Sequence, residues 1–144
     1  MNISPVPAEN VQFFWADVEP YLYNAVVLVN ESTTDEILHN ILSGYYVLWI
    51  VYDEDVGVTG AAVTSMVKYP HNVSLVIDYL GTNAGVMEDN ADKFMKVLQS
   101  WAFDNGCTTV EVHGRKGWGR ALKKYGGRIK KYVYELPAEK AEVH

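Results

Sequence analysis

The sequence predicts an α+β fold, a central and largely antiparallel sheet carrying helices, from three observations. Apolar residues recur at helical spacing over the first third of the chain. From Tyr45 the pattern switches to aromatic and β-branched runs broken by turn residues. Helical spacing then returns at Met87. The order that results is α-α-β-β-β-α-β-α-β, in one domain over 1–136 with a polar tail over 137–144.

Each element has its own signal. Val11 to Val29 carries the apolar stripe Phe14, Val18, Tyr21, Leu22, Ala25 and Val29, with Pro20 expected to break or kink it, or to open a second piece. Thr33 followed by Glu36 is a capping box, Gly44 sits where a helix stops, and Ile37, Leu38, Ile41 and Leu42 between them face a core. Tyr46 to Tyr52 is apolar on both faces, as a central strand is. Asp53 to Gly57 is a turn, and Val58 to Tyr69 and Val73 to Leu80 complete an antiparallel meander. Met87 to Asn105 lines up Met87, Ala91, Phe94, Leu98, Trp101 and Ala102, and Gly106 ends it. Cys107 to Val112 reads as a strand, Trp118 to Tyr125 as a short helix, and Arg128 to Leu136 as a last strand.

Composition removes several classes of function. A single cysteine, Cys107, permits no intrachain disulfide and reads as a buried structural thiol, and His39, His71, His113 and His144 have no metal-ligand spacing. No apolar run approaches the ~20 residues that span a bilayer. The opening MNISPVPAENVQ has no basic region before an apolar one, so no signal peptide and a cytoplasmic setting are expected.

Charge is unevenly placed. The net charge is −6, yet His113 to Tyr134 holds eight Lys or Arg residues and no acid, leaving four cations against eighteen acids elsewhere. Arg115, Lys116, Arg120, Lys123 and Lys124 form a basic face that suits an anionic ligand, a protein partner or self-association. Direct nucleic-acid binding is the rival explanation. Against it, Trp118, Ala121, Leu122 and Tyr125 stand at i, i+3, i+4 and i+7, which assigns them to packing, and the acidic remainder repels a polyanion.

The element order, with WADVEPYL (15–22), LWIVYDE (48–54), VTSMVKYP (63–70) and NGCTTVEVHGRKGWGRALKKYGG (105–127), resembles the GNAT family of N-acetyltransferases. More narrowly it resembles small phage- and prophage-encoded GNAT-like proteins. The resemblance implies a sheet that splays to admit acetyl-CoA, and a phosphate-binding turn between the meander and the long helix. It places that turn at Gly81, Thr82, Asn83, Ala84 and Gly85. It also implies a carboxylate base near the splay, for which Asp78 is the first candidate and Glu111 a weaker one. By strand alternation Asp78 shares the side of Val76 and Leu80. Desolvation there would raise its pKa, whereas a strand-end aspartate reaching solvent or a backbone N–H would be merely structural.

Two departures from the family pattern stand out. Leu80 to Asp89 keeps two glycines but lacks the Arg or Gln of the family's phosphate run, and Glu88 and Asp89 occupy the first helical turn, where they repel phosphate. The family's thiolate-protonating tyrosine, four residues before the glycine ending the last short helix, is replaced by Leu122 if that glycine is Gly126. These departures favour a binding or structural protein with a degenerate acyl-CoA site and no cofactor, and the resemblance to phage proteins implies that it is phage-encoded and associated with a virion or its assembly. The alternative is an acetyl-CoA-dependent N-acetyltransferase acting on an amine of a protein or small molecule.

Overall fold

The computed structural model describes residues 1–114 and 117–141. Among the described residues nine α-helices and β-strands follow one another: β1 (Asn2–Val6), α1 (Val11–Val29), α2 (Thr34–Leu42), β2 (Val47–Asp53), β3 (Gly57–Lys68), β4 (Val73–Thr82), α3 (Val86–Asp104), β5 (Thr109–Val112) and α4 (Gly117–Leu122). The five strands form one sheet in the order β1-β2-β3-β4-β5. The first four pair antiparallel, and β5 joins β4 in parallel. A mixed sheet with helices is the expected class, but two strands differ from expectation.

The first difference is β1, a strand that the expected element order does not contain. Its register runs from Asn2 opposite Tyr52 to Val6 opposite Leu48, at the sheet edge, where Pro5 costs no ladder bond. The second is the segment 128–136, which carries no strand. The chain forms two compact units, Met1–His113 and Gly114–His144. Within the second, the described residues contain α4, a turn of 3₁₀ helix over Lys123–Tyr125 and no strand at all. Strand propensity without a partner strand does not make a ladder.

Within the first unit the sheet is covered on both faces. On one face Val11, Val18, Leu22 and Val26 of α1 and Ile37 and Ile41 of α2 pack on Leu48, Ile50, Ala61 and Val63. The stripe on α1 ends at Val26, since Val29 is exposed, and Leu42 of α2 is exposed as well. Pro20 does not break α1, which runs unbroken from Val11 to Val29; Pro20 is exposed, so the carbonyl it leaves unbonded meets water. The helix ends in left-handed Asn30, whose N–H bonds the Val26 carbonyl at 2.8 Å. The capping box of α2 is formed, with the Glu36 N–H donating to Thr33 Oγ1 at 3.1 Å.

On the other face, Phe94, Met95, Leu98 and Ala102 of α3 are buried. Trp49 on β2 anchors this side. Its ring meets Trp101 edge to face at 5.3 Å, and its Nε1 donates to Thr64 Oγ1 on β3 at 2.9 Å. This satisfied indole accounts for a fully buried tryptophan beside a buried threonine. No helix among the described residues is long and apolar enough to cross a membrane.

Candidate functional site

The chemistry-bearing groups gather where β4 leaves β5. The parallel pairing of these strands ends at Ile77 opposite Val112, while β4 continues beside β3 to Thr82. Among the described residues, no strand therefore pairs with the β5-side edge of β4 from Asp78 onward. At the same point β4 bulges: Val63 faces Tyr79, and Thr64 faces Ile77, so Asp78 is the extra residue. The bulge overturns the simple alternation expected from the sequence. Leu80 lies opposite Ala62 on the α3 side, whereas Asp78 turns to Ser65 on the side of α1 and α2.

Asp78 is not a lone carboxylate. Ser65 Oγ donates to its Oδ2 at 2.7 Å from a buried position. Burial pushes the Asp78 pKa above the ordinary carboxylate value, and the Ser65 hydrogen bond and the nearby His113 partly offset this. Glu111 lies on the same face, because Ser65, Val76 and Glu111 stand side by side in the ladder. Its buried carboxylate accepts from Tyr69 Oη at 3.1 and 3.2 Å and has His113 Nε2 at 3.8 Å. The two predicted carboxylates thus share one face of the sheet, Asp78 at the splay and Glu111 tied to Tyr69.

Two tyrosines complete the surroundings, and the sequence reading gave them no such place. Tyr46, before β2, has its hydroxyl pushed up to about 12, first by burial and then by Asp78, Tyr79, Tyr45 and Glu36. Tyr79 is raised in the same sense by burial, then by Glu31 and Asp78. Both therefore keep their protons at neutral pH and stand as O–H donors near Asp78. The bulge is what brings Tyr79 beside Asp78 on one face, and no residue pattern announces it. Ser65 carries no signal of its own either.

The five turn residues divide. Gly81 and Thr82 lie within β4, opposite Ala61 and Gly60. Gly81 is packed against α1, since a Cβ placed there would fall on the Tyr21 carbonyl, 2.9 Å from its carbon and closer still to its oxygen. Its glycine is a packing requirement of the α1–β4 contact. Asn83, Ala84 and Gly85 form the turn itself. The Asn83 N–H bonds Thr59 O at 2.9 Å, the Val86 N–H returns to Asn83 O at 3.2 Å, and Gly85 takes φ +84 as the cap of α3. Past the first turn of α3, Asn90 leaves helical geometry, and its side-chain amide donates to the Val86 carbonyl at 2.8 Å. Glu88 and Asp89 are exposed in that first turn, as the sequence places them.

Of the basic set, Arg120, Lys123 and Lys124 are exposed in the second unit, with Lys124 Nζ 5.2 Å from the centre of the Tyr125 ring. Arg115 and Lys116 lie outside the described residues. Trp118, expected to pack into the core, is half-buried and lies against the Gly114 backbone, where a Cβ would stand 2.7 Å from its Nε1. Leu122 is half-buried, and its carbonyl accepts from the Gly127 N–H at 2.9 Å. Cys107 is buried, which raises its thiol pKa and makes it inert, as expected of a structural cysteine. Among the described residues no group of three His, Cys, Asp or Glu side chains could hold a metal ion.

No protein-family model matches the sequence, and no curated protein sequence does. Solved structures do match over almost the whole chain. A probable acetyltransferase superposes with a TM-score of 0.71 at 12% identity, covering 98% of this chain and all of that one. The ribosomal-protein-alanine N-acetyltransferase of Brucella melitensis biovar Abortus 2308 gives 0.69 at 9% identity, covering 96% of this chain and all of its own. A predicted acetyltransferase of Clostridium acetobutylicum, solved with acetyl-CoA, gives 0.65 at 14% identity, covering 94% and 95%. At such identities the likeness establishes the fold alone, and that fold is the GNAT acetyltransferase fold.

Proposed function

We propose that this protein is an acetyl-CoA-dependent N-acetyltransferase in which Asp78 is the general base. The observation that carries the proposal is the parting of β4 from β5 at the residue where β4 bulges, with a desolvated carboxylate at that point. The splay leaves a row of strand N–H and C=O groups from Asp78 to Thr82 without a strand on one side. An extended amide-bearing chain satisfies such an edge by strand addition, and the pantetheine arm of acetyl-CoA is one. The arm fits β4. The phosphate end would rest on backbone amides at the start of α3 alone, since the turn has no cation and Glu88 and Asp89 stand beside it.

When bound, acetyl-CoA supplies the acyl group as an activated thioester. The chain's own part is proton handling. Asp78, held by Ser65, takes the proton of the attacking amine, directly or through a water. Its raised pKa brings it closer to neutrality and makes it a stronger base than an exposed aspartate. Tyr46 and Tyr79, whose hydroxyls feel the Asp78 charge, remain protonated and are the O–H donors offered for the leaving thiolate, in place of the tyrosine that Leu122 displaces. Glu111, engaged by Tyr69, holds the floor of the site.

The expectation of a structural or virion-associated protein gains no support from the fold or from these neighbours. The test between the readings is acetyl-CoA-dependent thiol release with a panel of primary amines and amine-bearing peptides, using Asp78→Asn as the control. Amine-dependent release that the control loses supports the enzyme. Binding of no acetyl-CoA and release of no thiol with any acceptor returns the chain to a binding role.

Ser65 is a positioning residue in this scheme. Ser65→Ala removes the hydrogen bond that lowers the Asp78 pKa, so the acid limb of kcat/KM is expected to move to higher pH. Ser65→Thr, which keeps the hydroxyl, should restore the limb. A limb that stays in place in Ser65→Ala would remove Ser65 from the account.

A further inference from the structure

Helix α1 is apolar on two sides. Its inner side is the core described above. On its outer side Phe13, Ala16, Pro20, Tyr23 and Val27 are all exposed, at spacings of three, four, three and four. That is the seam spacing by which one helix packs along another. Phe13 is 82% exposed, Tyr23 56%, Val27 55% and the adjoining Leu28 66%. Single exposed apolar residues are ordinary, but a straight seam of them over a 19-residue helix is not. Over two heptads the seam drifts only about 40° around a straight helix, so it stays on one face.

We propose that this seam is an isologous interface, on which α1 of a second copy packs antiparallel about a two-fold axis near Pro20. Charge selects the direction in which the second copy packs. The outer N-terminal half of α1 holds Asp17 and Glu19, and from Pro20 to Asn30 there is no charged residue. Antiparallel packing sets each acidic half against an uncharged half. It places Phe13 over Val27 of the partner and Asp17 within reach of Tyr23 and Asn24 of the partner. Parallel packing would stack Asp17 and Glu19 on their own copies, and opposing helix dipoles add to the preference. The side chains of the seam with Leu28 offer on the order of 1,000 Å² of buried surface over both partners, the lower bound for a specific contact. The dimer is correspondingly weak and concentration-dependent.

Sedimentation velocity over a concentration series tests it, up to about 100 µM, where a contact of this small size should be visible. The wild type is expected to shift from monomer to dimer, and Phe13→Asp with Val27→Asp to stay monomeric, at least about tenfold weaker in association. Phe103→Asp, an equally exposed apolar residue on α3, should leave the dimer intact. Pro20→Cys should cross-link to a dimer under mild oxidation, because the one native cysteine is buried. Circular dichroism shows whether each variant is folded. A wild type that is monomeric throughout, a dimer that survives the double substitution, or a Pro20→Cys that gives no cross-link overturns the interface.

Discussion

Asp78→Asn is expected to lower acetyl transfer at neutral pH by roughly 10²- to 10⁴-fold, the usual contribution of a positioned general base. The amide can still accept the Ser65 hydrogen bond, so the change removes basicity with little disturbance of the bulge. In the wild type, kcat/KM should fall as pH drops through the raised Asp78 pKa, and the variant should lack that limb. Stability moves the other way. A carboxyl whose pKa is higher in the folded protein favours folding in its protonated form, and that contribution is lost as pH rises through the folded-state value. Near neutrality the ionised Asp78 is a cost, so Asp78→Asn should raise Tm there and converge on the wild type in acid. Thiol-release kinetics against pH, with thermal melts at the same pH values, check both halves. Equal rates in the two proteins would remove Asp78 from the mechanism.

Gly81→Asp is expected to fail for a reason unrelated to cofactor. The new Cβ would sit on the Tyr21 carbonyl, and relieving the overlap means moving α1 off β4. Overpacking of this kind costs about 1–3 kcal/mol and more against backbone, and the added carboxylate in a half-buried strand raises the cost. About 3 kcal/mol corresponds to a Tm lower by roughly 10 °C for a chain of this length. A melt at the wild-type temperature, with binding of acetyl-CoA lost, would instead give Gly81 the phosphate-turn role that its position in the family pattern implies.

These two positions show where the sequence is legible. Signals written in neighbouring residues were readable: the Thr33–Glu36 box, and the stops at Gly44 and Gly106, both with positive φ. The antiparallel meander followed from the change of period at Tyr45. Signals that depend on a distant partner were not. β1 is a strand because β2 offers it an edge, and nothing in Asn2 to Val6 beyond that requires one. The segment 128–136 has the composition of a strand and lacks a partner within its own unit. Asp78 stands out in the sequence and shares the side of Val76 as alternation predicts, but Leu80 falls on the opposite side, because a one-residue bulge reverses the face of everything after it. Tyr79 enters the site only through that bulge, while Ser65 and Tyr46 come from β3 and from the start of β2, which residue spacing does not relate to Asp78. Gly81 reads in the sequence as part of a phosphate-binding turn, and the reason it must be glycine lies in α1.

In the proposed complex acetyl-CoA lies along the edge of β4 that β5 leaves at Asp78. Backbone amide NMR during titration with acetyl-CoA tests it directly. Shifts should concentrate from Asp78 to Thr82 and extend through the turn to Val86, while β1 and the outer side of α1 stay unchanged. Saturating shifts elsewhere on the molecule, or none with acetyl-CoA in large excess, would contradict it.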